Sequence, residues 1–196
     1  NQLGLNKVEH ISANAYDESV WVSADNAILH FDRQGHLLGK WGTKKIRQIV
    51  VSLDESVWLL GNKNLYHVNT LGSVLGSWDL HAAVHPEPKY LALDSIGDRI
   101  WLAGEKRLTQ LDLKIPSNVL TSISVKQGVQ DIALDEQTGT MWVLGKTTVA
   151  TYSREGSLLR SIDLKALGIQ EAENIAFDNE AKAAWIGHKK GLTRFS

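Results

Sequence analysis

Five residues stand at matching places along the chain: His10, Gln48, Tyr90, Asp131 and Asn174. Each directly precedes an apolar residue (Ile11, Ile49, Leu91, Ile132, Ile175) that lies nine or ten residues ahead of a tryptophan. The residues before them are Glu9, Arg47, Lys89, Gln130 and Glu173. His10, Asp131 and Asn174, with Glu173 nearby, carry the imidazole and oxygen donors that ligate a divalent cation such as calcium. The same residues, with Arg47, can instead hydrogen-bond a small polar ligand, or face water as a polar rim. No other cofactor is indicated.

A second set is basic. Lys63, Lys106, Arg107, Lys146, Lys189 and Lys190 follow the tryptophan segments, and Lys44, Lys45 and Arg47 add to them, against Asp25 and Glu105. The acids Asp17, Glu18, Asp54, Glu55, Asp94, Asp98, Asp135, Glu136, Asp178 and Glu180 gather instead just before the tryptophans. Such a division suits an anionic partner, although loop lysines also serve solubility and turn aspartates also satisfy backbone donors. For catalysis the chain offers no nucleophile elbow, no His-Glu-x-x-His and no glycine-rich phosphate loop.

The elements that must position these residues repeat. Trp21, Trp58, Trp101, Trp142 and Trp185 recur at spacings of 37, 43, 41 and 43 residues. After each comes a short polar loop and a second apolar run: Ile28–Phe31, Leu65–Val68, Leu108–Leu111, Val149–Tyr152 and Leu192–Phe195. In the first four repeats a turn and a third run follow: Leu37–Trp41, Val74–Trp78, Val119–Val125 and Leu158–Leu164. The runs are short and rich in β-branched and aromatic residues, with Gly, Asn, Asp and Ser between them, which is strand and turn chemistry. Asp32-Arg33-Gln34-Gly35 and Ser153-Arg154-Glu155-Gly156 suit a type I turn with a bulge. Helical periodicity is weak, and only Leu164–Glu173 offers a turn or two of helix. Four antiparallel strands per ~40-residue repeat predict an all-β fold, a β-propeller of four-stranded blades. Five blades are visible, near 8–43, 44–83, 84–127, 128–169 and 170–196, the last incomplete. In such a fold the five residues first described ring the channel mouth. The repeated tryptophans pack between adjacent sheets. Trp41 and Trp78, on outer strands, are freer for a partner or sugar, and His30 and His67 fall on a solvated sheet face.

The fourth unit, Asp131-Ile-Ala-Leu-Asp through Met141-Trp-Val-Leu-Gly to Ser153-Arg-Glu-Gly, resembles the NHL-type repeat and its YVTN-like relatives. The first unit's ending, Phe31-Asp-Arg-Gln-Gly-His-Leu-Leu-Gly-Lys-Trp-Gly, is the closest local match. Trp replaces the commoner Tyr, and the usual Arg before the third strand is absent. The resemblance implies a propeller whose inter-blade loops bind partners. Some NHL propellers bind RNA, and lactonases and lyases on related propellers use channel-mouth carboxylates, Asn or His with a metal.

Composition narrows the classes further. The 196 residues are 43% hydrophobic and 22% charged, with net charge −1, no cysteine and seven tryptophans. Disorder and a disulfide scaffold are excluded, no apolar run reaches the ~18 residues of a membrane span, and bulk attraction to nucleic acid is not supported. The expected function is non-enzymatic: a binding scaffold presenting inter-blade loops to a protein, or to a polyanion such as a glycan or RNA. The alternative is a metal-dependent hydrolase or lyase at the channel mouth. No leader is visible from Asn1 onward, and an exported or periplasmic setting is favoured over a cytoplasmic one. The fifth unit stops at Phe195-Ser196, and residues 1–10 align with Ala166–Asn174. Either the chain is a segment of a longer propeller, or residues 1–6 pair with the last blade. An open blade edge invites association.

Overall fold

The computed structural model describes residues 5–43, 45–80 and 87–196. Among the described residues nineteen strands make five antiparallel sheets, each in sequence order. Sheet 1 is β1 (Val8–Ala13), β2 (Val20–Ala24), β3 (Ala27–Phe31) and β4 (Leu37–Gly42); sheet 2 is β5 (Ile46–Val51), β6 (Val57–Gly61), β7 (Asn64–Val68) and β8 (Val74–Asp79). Sheet 3 is β9 (Tyr90–Asp94), β10 (Arg99–Ala103), β11 (Arg107–Asp112) and β12 (Val119–Ser124). Sheet 4 is β13 (Asp131–Asp135), β14 (Thr140–Leu144), β15 (Thr148–Tyr152) and β16 (Leu158–Asp163). Sheet 5 has three strands, β17 (Ala172–Asp178), β18 (Ala183–His188) and β19 (Gly191–Phe195). The fold is all-β, and the sheets are the blades of a β-propeller. No helix occurs among the described residues. Leu164–Glu173 is instead a Schellman turn running into β17. Gly168 sits at φ +75° and donates to Lys165 O, while Ile169 N donates to Leu164 O.

Two compact units divide the chain, Asn1–Leu91 and Ala92–Ser196. In each, strand alternation gives every sheet a front face, which carries the repeated tryptophan, and a back face. In the first unit, Trp21 and Ile28 on the front of sheet 1 pack against Ile49, Val57, Leu59 and Val68 on the back of sheet 2. In the second unit, Trp142 and Val149 on the front of sheet 4 pack against Ile175, Phe177, Ala184 and Ile186 on the back of sheet 5.

Sheets 1 and 2 share a finer device. Trp21 pairs across the sheet with His30, and His30 with Gly39; Trp58, His67 and Gly76 repeat the arrangement. The outer Trp41 and Trp78 rings fold back over Gly39 and Gly76, into the space a Cβ would take. Trp21 stacks on His30 at 4.1 Å and on Trp41 at 5.6 Å, and Trp58 on His67 at 4.3 Å and on Trp78 at 5.6 Å. Two expectations are corrected here. Trp41 and Trp78 are half-buried packing elements rather than free rings, and His30 is buried in a stack rather than set on a solvated face. Sequence alone could not foresee this, because a glycine two residues before a tryptophan reads as a turn until the opposing histidine is in view.

Burial pushes the His30 and His67 imidazoles below their ordinary titration range, against the weaker upward pull of Asp17 and Asp54. Each histidine therefore binds its proton less readily folded than unfolded. The folded state is favoured above about pH 6.5, and that advantage is lost as pH falls toward the depressed folded value. His67 Nε2 also lies 2.7 Å from Ser56 Oγ, which donates to Asp54 at 2.5 Å. The Gln110 that fills the equivalent place in sheet 3 makes His67→Gln a conservative test. Urea unfolding at about pH 7.5 and about pH 5.5 should show a smaller loss in the variant than in the parent chain. Equal losses would remove His67 from the account.

The turns into the second strands are uniform. The third residue before each tryptophan is left-handed: Glu18, Glu55, Asp98, Gly139 and Lys182 have φ between 50° and 71°. Only the glycine adopts this without steric cost. Glu55→Gly is expected to raise the unfolding free energy by about 0.5–1 kcal/mol, read by denaturant titration. A loss of stability would show that the Glu55 side chain holds the turn.

Candidate functional site

Three of the five matching residues serve as joints between sheets. His10 Nδ1 accepts from Ile49 N at 3.3 Å, and Gln48 Oε1 accepts from Leu91 N at 2.6 Å. Asp131 Oδ2 accepts from Ile175 N at 2.9 Å, while its Oδ1 accepts from Ile132 N. In each case the side chain reaches the first-strand backbone of the following sheet, at the apolar position that sequence aligns with its own neighbour. Burial lowers the His10 pKa and raises that of Asp131, the latter against its two backbone donors. Asn174, at the same place in sheet 5, is exposed, as is Glu173. Among the described residues no group of three or more His, Cys, Asp or Glu converges on one point. Of the residues expected to ligate a metal, His10 lies in the first unit, and Asp131 and Asn174 in the second.

Tyr90, the remaining member, lines an open cleft of about 500 Å³ in the first unit, together with Lys7, Val8, Glu9, Lys45, Arg47 and Lys89. The ends of β1 and β5 and the approach to β9 build its walls. The Asp25 carboxylate accepts from Asn6 N and Lys7 N and so fixes the chain entering β1. Arg47 is fully engaged, through Nε to Asn62 Oδ1, Nη1 to Pro88 O and Nη2 to Glu87 Oε2, at 3.0, 2.8 and 2.8 Å. It ties the segment leading into β9 to the cleft, which makes it a positioning residue. Glu9, mostly buried, faces Lys7 at 3.3 Å and Lys45 at 3.8 Å. Four cations thus share the cleft and its rim with two carboxylates, Glu9 and Glu87, leaving it electropositive. A second cavity of about 230 Å³ adjoins it through Lys45 and reaches Lys63 and Tyr66.

The other expected basic residues are exposed at loop tips in the second unit. Lys106 lies between β10 and β11 and Arg107 opens β11, Lys146 lies between β14 and β15, and Lys189 and Lys190 between β18 and β19. Arg107 donates to Ser122 Oγ, and Lys189 pairs with Glu171 at 2.8 Å. Lys44 lies outside the described residues, as do residues 1–4 of the segment considered for closing the last sheet. The acids before the tryptophans work locally, with Asp17, Asp54, Asp135 and Asp178 each accepting from backbone N–H groups two or three residues on. Lys7 was not singled out by sequence; its only signal was a place two residues before Glu9.

The second unit also holds a buried polar joint. Asp94, fully buried, accepts from Arg154 Nε at 2.6 Å and from Gly97 N at 2.8 Å. Gln110 Nε2 donates to Arg154 O at 2.7 Å and its Oε1 accepts from Arg99. The hydrogen bond to Asp94 holds the Arg154 pKa above its usual value. Burial, reinforced by Asp94 and Asp135, raises that of Glu136. This network links sheets 3 and 4 through the buried Asp94.

These features define a propeller with an electropositive cleft among its inter-blade segments. No family model matches the chain, and no curated protein is similar to it in sequence. Among solved structures, the crystal structure of a protein of unknown function from Bacteroides caccae superposes with a TM-score of 0.74 at 13% identity, covering 98% of this chain and 78% of that one. At that identity the likeness concerns the fold alone.

Proposed function

We propose that the chain is a non-enzymatic binding module of NHL-like type whose cleft takes an acidic segment of a partner protein. The observation that supports this reading is the gathering of Lys7, Lys45, Arg47 and Lys89 around one open cleft, beside Tyr90. Carboxylates entering it would meet ammonium groups already held near Glu9, while Arg47, committed to Glu87 and Pro88, keeps the wall in place.

Binding of a fluorescent oligoglutamate peptide tests the reading. Affinity should fall as NaCl rises from about 50 to about 300 mM. Lys45→Glu with Lys89→Glu should weaken binding by about tenfold or more. Lys189→Glu with Lys190→Glu, in the other unit, should leave it unchanged. Peptide binding that is absent, or indifferent to the first pair, removes the proposal. Preference for heparin or an RNA oligonucleotide over the peptide would move the ligand class to a polyanion. A melting temperature raised by calcium and restored by His10→Ala with Asp131→Ala would favour the metal-dependent hydrolase or lyase instead.

A further inference from the structure

The residue that follows each outer strand has a fixed place. Thr43 N donates to Asn26 O, Leu80 N to Lys63 O, Val125 N to Lys106 O and Leu164 N to Thr147 O, at distances of 2.7 to 2.9 Å. Each is thereby tied to the residue just before the third strand of its own sheet. Leu80, Val125 and Leu164 are aliphatic and no more than 2% exposed. Leu164 shows what the position does. It joins Val149 on the front of sheet 4 to Ile175 and Ile186 on the back of sheet 5 in one core. Sheet 1 departs from the pattern. Thr43 is polar and only half-buried, and it borders the apolar cavity of about 180 Å³ between the front of sheet 1 and the back of sheet 2. Packed interiors leave few voids larger than a water molecule. This one lies where the aliphatic plug of the other sheets is absent.

We propose that this cavity is a binding site for a small aromatic carboxylate, with the ring inside and the carboxylate directed to Lys45 and Lys63. The ring follows from size and lining. An apolar space of about 150 Å³ takes one benzene molecule. Trp21, Trp41, Leu59 and Val68 wall the cavity, and a flat guest gains stacked or edge-on contacts with indoles that an alkyl chain does not. The walls are set in advance. Trp41 stacks on Trp21, and Gly39 and Gly72 lie against its indole, so it has little freedom to fill the space itself. The charge follows from the neighbouring space. Tyr66 borders both this cavity and the one of about 230 Å³ lined by Lys45, Asn62, Lys63 and Asn64. Among the described residues neither lining includes a carboxylate. Two ammonium groups therefore favour an anion there, and the asparagine amides add donors of the kind a carboxylate accepts.

Isothermal titration calorimetry with hydrocinnamate as the probe tests the site. The parent chain should bind it with a Kd below about 1 mM. Hydrocinnamamide, the same shape without the charge, should bind at least about threefold more weakly, and Lys63→Gln should remove that difference. Thr43→Leu restores the residue type found at Leu80 and Leu164, so circular dichroism should be unchanged while affinity for both compounds falls by at least about tenfold. Thr43→Val, with Val125 as its precedent, gives a second variant that should weaken both in the same direction. Neither Thr43 variant should alter binding of the oligoglutamate peptide, so this site and the cleft of Lys89 and Tyr90 stand or fall separately. The proposal is overturned if hydrocinnamate fails to bind at about 5 mM, or if the amide binds as tightly as the acid. Propanoate binding as tightly as hydrocinnamate, or affinity unaltered by both Thr43 variants, overturns it equally.

Discussion

Arg154→Ala is expected to lower the unfolding free energy of the chain by about 3–5 kcal/mol. The cost arises less from lost attraction than from what remains. Asp94 is fully buried, and without the guanidinium it keeps only the Gly97 N–H at its Oδ1. A carboxylate desolvated to that degree must either stay charged without a partner or take up a proton, and both are unfavourable. The substitution also empties space that Arg154 fills against Gly97 and Gly139. Urea unfolding followed by circular dichroism measures the change. Because the Asp94 carboxylate is fully buried, most of the loss should persist in about 0.5 M salt, where a fully exposed pair would be screened. Arg154→Lys should recover only part, since an ammonium supplies charge without the fork that reaches Asp94 through both Nε and Nη2. A loss under about 1 kcal/mol would mean that water enters the joint and solvates Asp94.

The second large effect is expected at Trp21. Its ring is 1% exposed, stacks on His30 and Trp41, and packs with Ile28 into the core shared by sheets 1 and 2. Trp21→Ala should cost about 3–5 kcal/mol, the transfer of a large aromatic surface plus the cavity it leaves. The cavity would open onto an existing apolar space of about 180 Å³ between these sheets, bounded by Trp41, Leu59, Tyr66 and Val68. Trp41 has little freedom to collapse into the gap, because Gly39 and Gly72 both lie against its indole. Trp185→Ala, at the equivalent but half-open position of sheet 5, should cost under about 2 kcal/mol for the isolated protomer. Comparable losses at the two sites would contradict the difference in burial.

The repeat that located the tryptophans also located every sheet. Strand alternation, turn residues and a period near forty are written in neighbouring residues, so they survive reading one segment at a time. The bulge after Asp32-Arg33-Gln34-Gly35 and the left-handed residue before each second strand belong to the same local code. The roles of the polar residues do not. Arg33 and Arg154 sit in nearly identical turns, yet one holds an exposed neighbour and the other a buried carboxylate sixty residues away. His10, Gln48 and Asp131 read in sequence only as matching polar residues, and in the structure each accepts from a backbone donor 39 to 44 residues downstream. The electropositive cleft draws Lys7, Arg47 and Lys89 together from three separate segments. Local chemistry determines where strands form, because pleat and turn are satisfied within a few residues. Which polar group is free to bind depends on which buried donor lies opposite, and that is decided only when distant sheets are packed together.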